Sequence, residues 1–426
     1  MSFPKTVVGA NLGIAFPTTI ESLLEQGCDF LTAAFRKSGT LSPTNRVGAI
    51  RESNEFVGGG MGRKLVLTVD YLVDEPGLHR ELFLKFPRDF GDPLRDLFSP
   101  VMEPEVQFAL LSRDPRFPVR IPKCYFGDYD PETRSGLLIS ERVRFGEDGV
   151  EAFHDKCLDY QLDDPLAHYL ALTRALARLA GGFKAGSFGE KIRQSFPFDA
   201  TRLKQTDMIP YDRAQLDEKL VKLRAFAVQH KRLMPQEVTC EGFIERFCTE
   251  VPLALEKERA IKTELNSRAD YVSLCHWNAN VDNAWFYRDE RGALQAGLLD
   301  WGSVGQMNVA QGLYGMLCAA EPEFLAQHLH TLIEVFVAEY QASGGPALNA
   351  SALVRQFHLS VSVLGPAWML DAPSLIETQV PAIDRVRDRY DPSLSDDFLA
   401  RAQLHLMSVF LHEWKIRDIG TLLRHF

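Results

Sequence analysis

The stretch Leu274–Tyr287, LCHWNANVDNAWFY, decides how this chain is read. A short apolar run enters a polar loop. The loop carries His276, Asn278, Asn280, Asp282 and Asn283, and an aromatic run leaves it. Apolar run, polar loop, apolar run reads as strand, loop, strand. Such a loop sets several side-chain oxygens and one imidazole at the end of a buried strand, where chemistry is commonly placed.

Working outward, the apolar run AGLL ends in Asp300-Trp301-Gly302. An acid at a buried strand end, followed by a flexible glycine, is suited to hold Mg²⁺, which takes one or two carboxylates plus phosphate and water oxygens. Asn283 supplies a second, neutral oxygen of the same kind. Far upstream, Lys85 sits inside LFLKFP, where an unpaired ammonium is costly to bury. A phosphate and the carboxylate of Glu105, at the start of the next predicted helix, are its natural partners. Gly58, Gly59, Gly60 and Gly62 lie between two predicted strands, where backbone can approach a polyphosphate closely. Each feature alone also has a plain structural reading: a hairpin tip, an edge lysine, a turn-starting aspartate.

Their order and spacing carry more. The chain resembles the small-molecule branch of the protein-kinase-like fold: aminoglycoside phosphotransferases, choline-kinase-like enzymes and the ecdysteroid-kinase-like group. The catalytic loop of that family reads His-Gly-Asp-x-x-x-x-Asn, and here His276-Trp277-Asn278 is followed four residues later by Asn283. Leu299-Asp300-Trp301 resembles its metal motif, and VRIPKCYFGDYDPETRSGLLISERV its approach to the hinge. The resemblance spans roughly residues 20 to 420 and implies an ATP- and Mg²⁺-dependent phosphotransferase acting on a small-molecule hydroxyl. It implies Lys85 on the phosphates and paired with Glu105, Gly58 to Gly62 over them, the backbone from Glu141 to Val143 at the adenine, and Asn283 and Asp300 on the metal.

Three positions depart from the family pattern. Asn278 stands where the family has the aspartate that orients and deprotonates the acceptor. An amide oxygen accepts a hydrogen bond but takes no proton, and general-base help is worth about 10²–10⁴ in rate. Trp277 replaces a glycine, and Gln311 an aspartate that often braces the loop. Two expectations therefore stand side by side. Either the protein is a kinase in which Asp282 or the acceptor supplies the base, or it is a pseudokinase that binds nucleotide or another ligand without efficient transfer.

The rest of the sequence sets bounds. A chain of 426 residues predicts more than one core. Its net charge of −10 argues against a nucleic-acid partner. No run approaches ~18 consecutive apolar residues, so no membrane span is expected. The seven cysteines form no Cys-x-x-Cys pair and read as reduced thiols of a cytoplasmic protein. Cys275, His276 and His154 match no zinc-ligand spacing. His405, His412 and Trp414, at near-helical spacing, line either a helix core or an acceptor pocket.

The expected fold class is α+β, a bilobal protein-kinase-like fold. Residues 1–145 would form an N-terminal lobe: a leading helix capped at Thr18 and Glu21, a glycine-rich loop, an antiparallel sheet and a hinge near 141–145. Residues 146–426 would form a large, mainly helical lobe carrying the catalytic and metal loops, with one helix ending at the Gly181-Gly182 pair. Oligomeric state is left open.

Overall fold

A computed structural model describes residues 3–56, 62–240 and 242–426. The chain forms two compact units. The first comprises Met1–Val150, Phe188–Ser195 and Gly297–Val304; the second comprises Glu151–Ser187, Phe196–Ala296 and Gly305–Phe426.

In the first unit, β1 (Thr6–Val8) pairs with β2 (Ala15–Pro17) ahead of α1 (Ile20–Lys37). β3 (Val47–Phe56), β4 (Gly62–Tyr71), β5 (Glu81–Pro87), α2 (Arg95–Phe98), α3 (Met102–Leu111), β6 (Cys124–Asp130) and β7 (Ser135–Glu141) follow. The five strands β3 to β7 make one antiparallel sheet of order β3-β4-β5-β7-β6. Strand periodicity explains the two faces. Leu65, Leu67 and Val69 of β4 and Leu82, Leu84 and Phe86 of β5 share one core with Leu23, Phe30, Leu31 and Phe35 of α1. Lys85, out of phase with its neighbours, turns to the other face, toward α3.

Two expectations are corrected at this end. The paired β1 and β2 precede the leading helix, which was expected to come first. The capping box is Thr19 with Ser22, not Thr18 with Glu21. The Thr18 hydroxyl donates to Pro4 O at 2.6 Å, and Glu21 reaches Arg63 at 2.9 Å.

The rest of the chain holds α4 (Pro165–Ala185), α5 (Glu190–Ser195, within the first unit), α6 (Ala200–Gln205), α7 (Arg213–Gln229) and α8 (Phe243–Leu265). Short strands follow: β8 (Val272–His276), β9 (Ala284–Arg288), β10 (Leu294–Leu298) and β11 (Val304–Asn308). Then come α9 (Val309–Leu317), α10 (Pro322–Ala342), α11 (Ala350–Met369), α12 (Ala372–Gln379), α13 (Pro392–Ser395), α14 (Phe398–Ile416) and α15 (Ile419–Arg424). β8 pairs with β11 and β9 with β10. α4 runs through the Gly181-Gly182 pair instead of ending there, and is capped by Gly186 at φ 74°. A Cβ at Gly181 would lie 2.4 Å from Tyr340 O, so that glycine lets α10 pack closely.

Among the described residues, the stretch 350–379 alone is long and apolar enough to cross a membrane by length and composition. It is core helix here: α11 packs on α8, α9 and α14. A small antiparallel-sheet unit and a larger, mainly helical one give the expected α+β class.

Candidate active site

In the first unit, a buried ammonium is held between two carboxylates. Lys85 Nζ lies 2.7 Å from Glu105 Oε2 and 2.8 Å from Asp300 Oδ1. The Lys85 and Glu105 side chains are buried, whereas Asp300 keeps 42% of its side-chain surface exposed. Burial acts against the lysine charge, but Asp300 and Glu105 outweigh it and hold the ammonium above the ordinary lysine range. Burial raises the Glu105 carboxyl, and Lys85 opposes that rise. Such a pair is costly to break from one side, because the remaining charge is left buried.

Local structure fixes Asp300. Its backbone is left-handed, at φ 56° and ψ 68°, a conformation costing a non-glycine residue on the order of 1–3 kcal/mol. Trp301 stacks on Phe108 of α3 with centroids 3.9 Å apart and donates its indole N–H to Leu298 O at 3.1 Å. Gly302 lets the turn close, since a Cβ there would lie 3.2 Å from Val101 Cβ. α3 thus carries both Glu105 and the ring that seats Trp301.

In the second unit, β8 delivers the loop that opened the sequence reading. Two glycines of α9 let it approach. A Cβ at Gly312 would lie 3.1 Å from Cys275 Cβ, and one at Gly315 would lie 1.7 Å from Trp277 O. The Asn278 N–H donates to His276 Nδ1 at 3.1 Å, which places a neutral ring proton on Nε2. Asn283 Nδ2 donates to Asn278 O at 2.8 Å, so its amide oxygen is the end left for a ligand. Asn280 is fully buried and donates to Gly315 O and Met316 O at 2.8 and 2.9 Å, tying the loop to α9.

Lys156 completes this half. Its Nζ donates to Asn280 Oδ1 at 2.7 Å and to Asn278 Oδ1 at 3.2 Å, and lies 3.7 Å from Asp282 Oδ1. Burial disfavours the charge, but Asp282, Asp159 and the thiols of Cys157 and Cys318 together outweigh it, so the ammonium titrates above its usual range. An ammonium only donates, so the Asn278 oxygen faces Lys156 and its NH₂ points elsewhere. Sequence reasoning missed Lys156: FHDKCLD has no periodicity or spacing that singles it out.

The other predicted positions are placed as follows. Gly58, Gly59 and Gly60 lie outside the described residues. Gly62 opens β4, where a Cβ would lie 2.1 Å from Phe86 O. Glu141 ends β7; its N–H goes to Lys123 O, that of Arg142 to Glu81 O, and Val143 follows two residues after Glu141. Lys64, on β4, stands directly across from Lys85. Cys275 is a buried thiol pushed up to about 12 by its burial, so it is no nucleophile at neutral pH. His412 and Trp414 lie in the helical core, with the Trp414 indole on Glu250 at 2.9 Å. His405 is held by Ala319 O at 2.8 Å, in the wall of a small pocket with Tyr160, Glu321, Arg389 and Tyr390.

Two paired strands, a third strand carrying a buried lysine, a helix returning a glutamate to it, and two further strands define the first unit. The fold is protein-kinase-like.

No family model and no curated protein matches this chain. Among solved structures it is similar to a choline/ethanolamine kinase family protein from Mesorhizobium loti, at 13% identity over 92% of this chain and 99% of that one, TM-score 0.46. It is also similar to choline kinase from Cryptosporidium parvum, at 14% identity over 88% and 92%, TM-score 0.44. A microcompartment-associated aminopropanol kinase matches at 14% identity over 87% and 95%, TM-score 0.41.

Proposed function

We propose that this chain is an ATP- and Mg²⁺-dependent phosphotransferase acting on a hydroxyl of a small molecule. The observation that carries this reading is the buried Lys85 held between Glu105 and the half-exposed Asp300. A lysine oriented by a buried carboxylate is suited to bind phosphate oxygens. The oxygen donors Asp300 and Asn283 fit Mg²⁺, a hard cation. When bound, the ion would neutralise charge on the phosphates. Lys85 would bind and orient the nucleotide, Glu105 would hold Lys85 in place, and Lys156 would bring a second positive charge to the loop at Asn278.

Asn278 holds no proton-accepting group, and its oxygen is already engaged by Lys156. Its NH₂ would orient the acceptor hydroxyl by donating to it, and deprotonation would fall to Asp282 or to the acceptor itself. That same engagement favours a second reading, in which nucleotide binds and transfer is inefficient. The test is ADP and phosphorylated-product formation from ATP with a panel of small-molecule alcohols. Product that disappears in Asp300→Ala supports transfer. Nucleotide binding without product from any acceptor supports the second reading.

A further inference from the structure

Two imidazoles of the second unit converge on one carboxylate oxygen. Glu151 Oε2 lies 2.8 Å from His168 Nε2 and 3.3 Å from His154 Nε2. One ligand atom from each of the three residues lies within 4.8 Å of the other two. The sequence reading grouped His154 with Cys275 and His276; the structure groups it with a glutamate three residues before it and a histidine on the first turn of α4.

The tautomer of His168 decides what this cluster is. Its Nδ1 lies 2.7 Å from Asp164 O. A carbonyl only accepts, so Nδ1 carries a proton. In a neutral ring Nε2 then presents a lone pair, aimed at a carboxylate oxygen 2.8 Å away. Two acceptors face each other, and a cation must lie between them: a second ring proton or a metal ion. The second imidazole on the same oxygen favours the metal, because one shared cation satisfies all three ligands. The Nδ1–H to carbonyl bond is the partner that metal-bound histidines usually make with their other nitrogen.

The geometry is compatible with a first-row cation. With ligand bonds of about 2.0–2.2 Å, edges of this length subtend angles of roughly 85° and 105° at the ion. The His154 and His168 rings meet edge to face at 5.4 Å, and the buried Phe286 walls both, at 5.9 and 4.6 Å. The Glu151 N–H is anchored on Phe286 O at 2.9 Å. His168 is buried, whereas Glu151 and His154 remain partly exposed, which leaves an entry path and room for a water ligand.

We infer that Glu151, His154 and His168 form a binding site for a borderline divalent cation of the Zn²⁺ class, separate from the Mg²⁺ of the proposed reaction. Its place suggests its effect. Lys156 lies two residues beyond His154, so an ion there pins to α4 the segment that delivers Lys156 to Asn278.

The test uses the full chain, stripped with a chelator and dialysed. Zn²⁺ is titrated by calorimetry, and Co²⁺ is followed by its visible d–d absorption, with Mg²⁺ as the comparison ion. The expected result is one Zn²⁺ per chain, no competition by Mg²⁺, and a Co²⁺ spectrum showing nitrogen ligation. His154→Ala and Glu151→Gln should each weaken Zn²⁺ by more than the about 10–100-fold that losing an outer-shell partner costs. They should also abolish the rise in melting temperature that Zn²⁺ gives the wild type. No binding, or binding unchanged in both variants, overturns the site and leaves a doubly protonated His168 paired with Glu151.

Discussion

Lys156 Nζ stands 3.2 Å from Asn278 Oδ1, 122 positions away in sequence. The asparagine that replaces the expected aspartate is therefore held by a partly buried cation, and the same cation reaches Asn280 and Asp282. The loop is built around Lys156 and keeps its shape without the acid.

A first prediction follows from that shape. In Asn278→Asp the Lys156 bond is kept and becomes an ion pair, while a proton acceptor is added. Turnover should rise by about tenfold or more, within the range of general-base assistance, with little change in the nucleotide KM. Separate kcat and KM measurements check it. An unchanged kcat would place the slow step elsewhere.

Lys85→Met should abolish transfer and destabilise the first unit. It leaves Glu105 buried without its counter-charge, a loss of about 3–5 kcal/mol at neutral pH. The sign of the pH effect is fixed. Burial raises the carboxyl, so the unfolded chain holds fewer protons there than the folded one, and the variant loses stability as pH rises above the ordinary carboxylate range. The deficit against wild type should therefore shrink on acidification in urea melts. A deficit independent of pH would contradict the paired arrangement.

How much of this was legible in the sequence depends on distance along the chain. The strands of the first sheet were readable because alternation along β4 and β5 is a local signal. Lys85 was readable because a lone charge flanked by apolar residues on a strand is costly to bury unpaired. The Gly181-Gly182 pair was misread as a helix end, because the carbonyl of Tyr340 that demands Gly181 lies far away in sequence. The capping box was misplaced by one residue, since Thr18 and Thr19 are equally good caps by type. Lys156 and the His154–His168 pair were invisible for the same reason as Gly181. Their partners are set by packing, with no spacing to reveal them.

His358, on α11, offers a titration in the second unit. Burial lowers its imidazole from 6.5 to about 4, with Arg417 acting in the same direction. The unfolded chain takes up this proton first, so stability is lost as pH falls from about 6.5 toward 4, by about 2–3 kcal/mol. In His358→Gln that portion of the acid sensitivity should be missing. Parallel pH profiles for wild type and variant would contradict it.

The central claim is that this chain binds ATP with Mg²⁺ through Lys85 and Asp300. Calorimetric titration of ATP with Mg²⁺ into the wild type, Lys85→Met and Asp300→Ala tests it most directly. The account predicts saturable binding to the wild type, weakened by at least about tenfold, or 1.4 kcal/mol, when Mg²⁺ is withheld and in either variant. No binding to the wild type, or equal affinity in all three proteins, would contradict it.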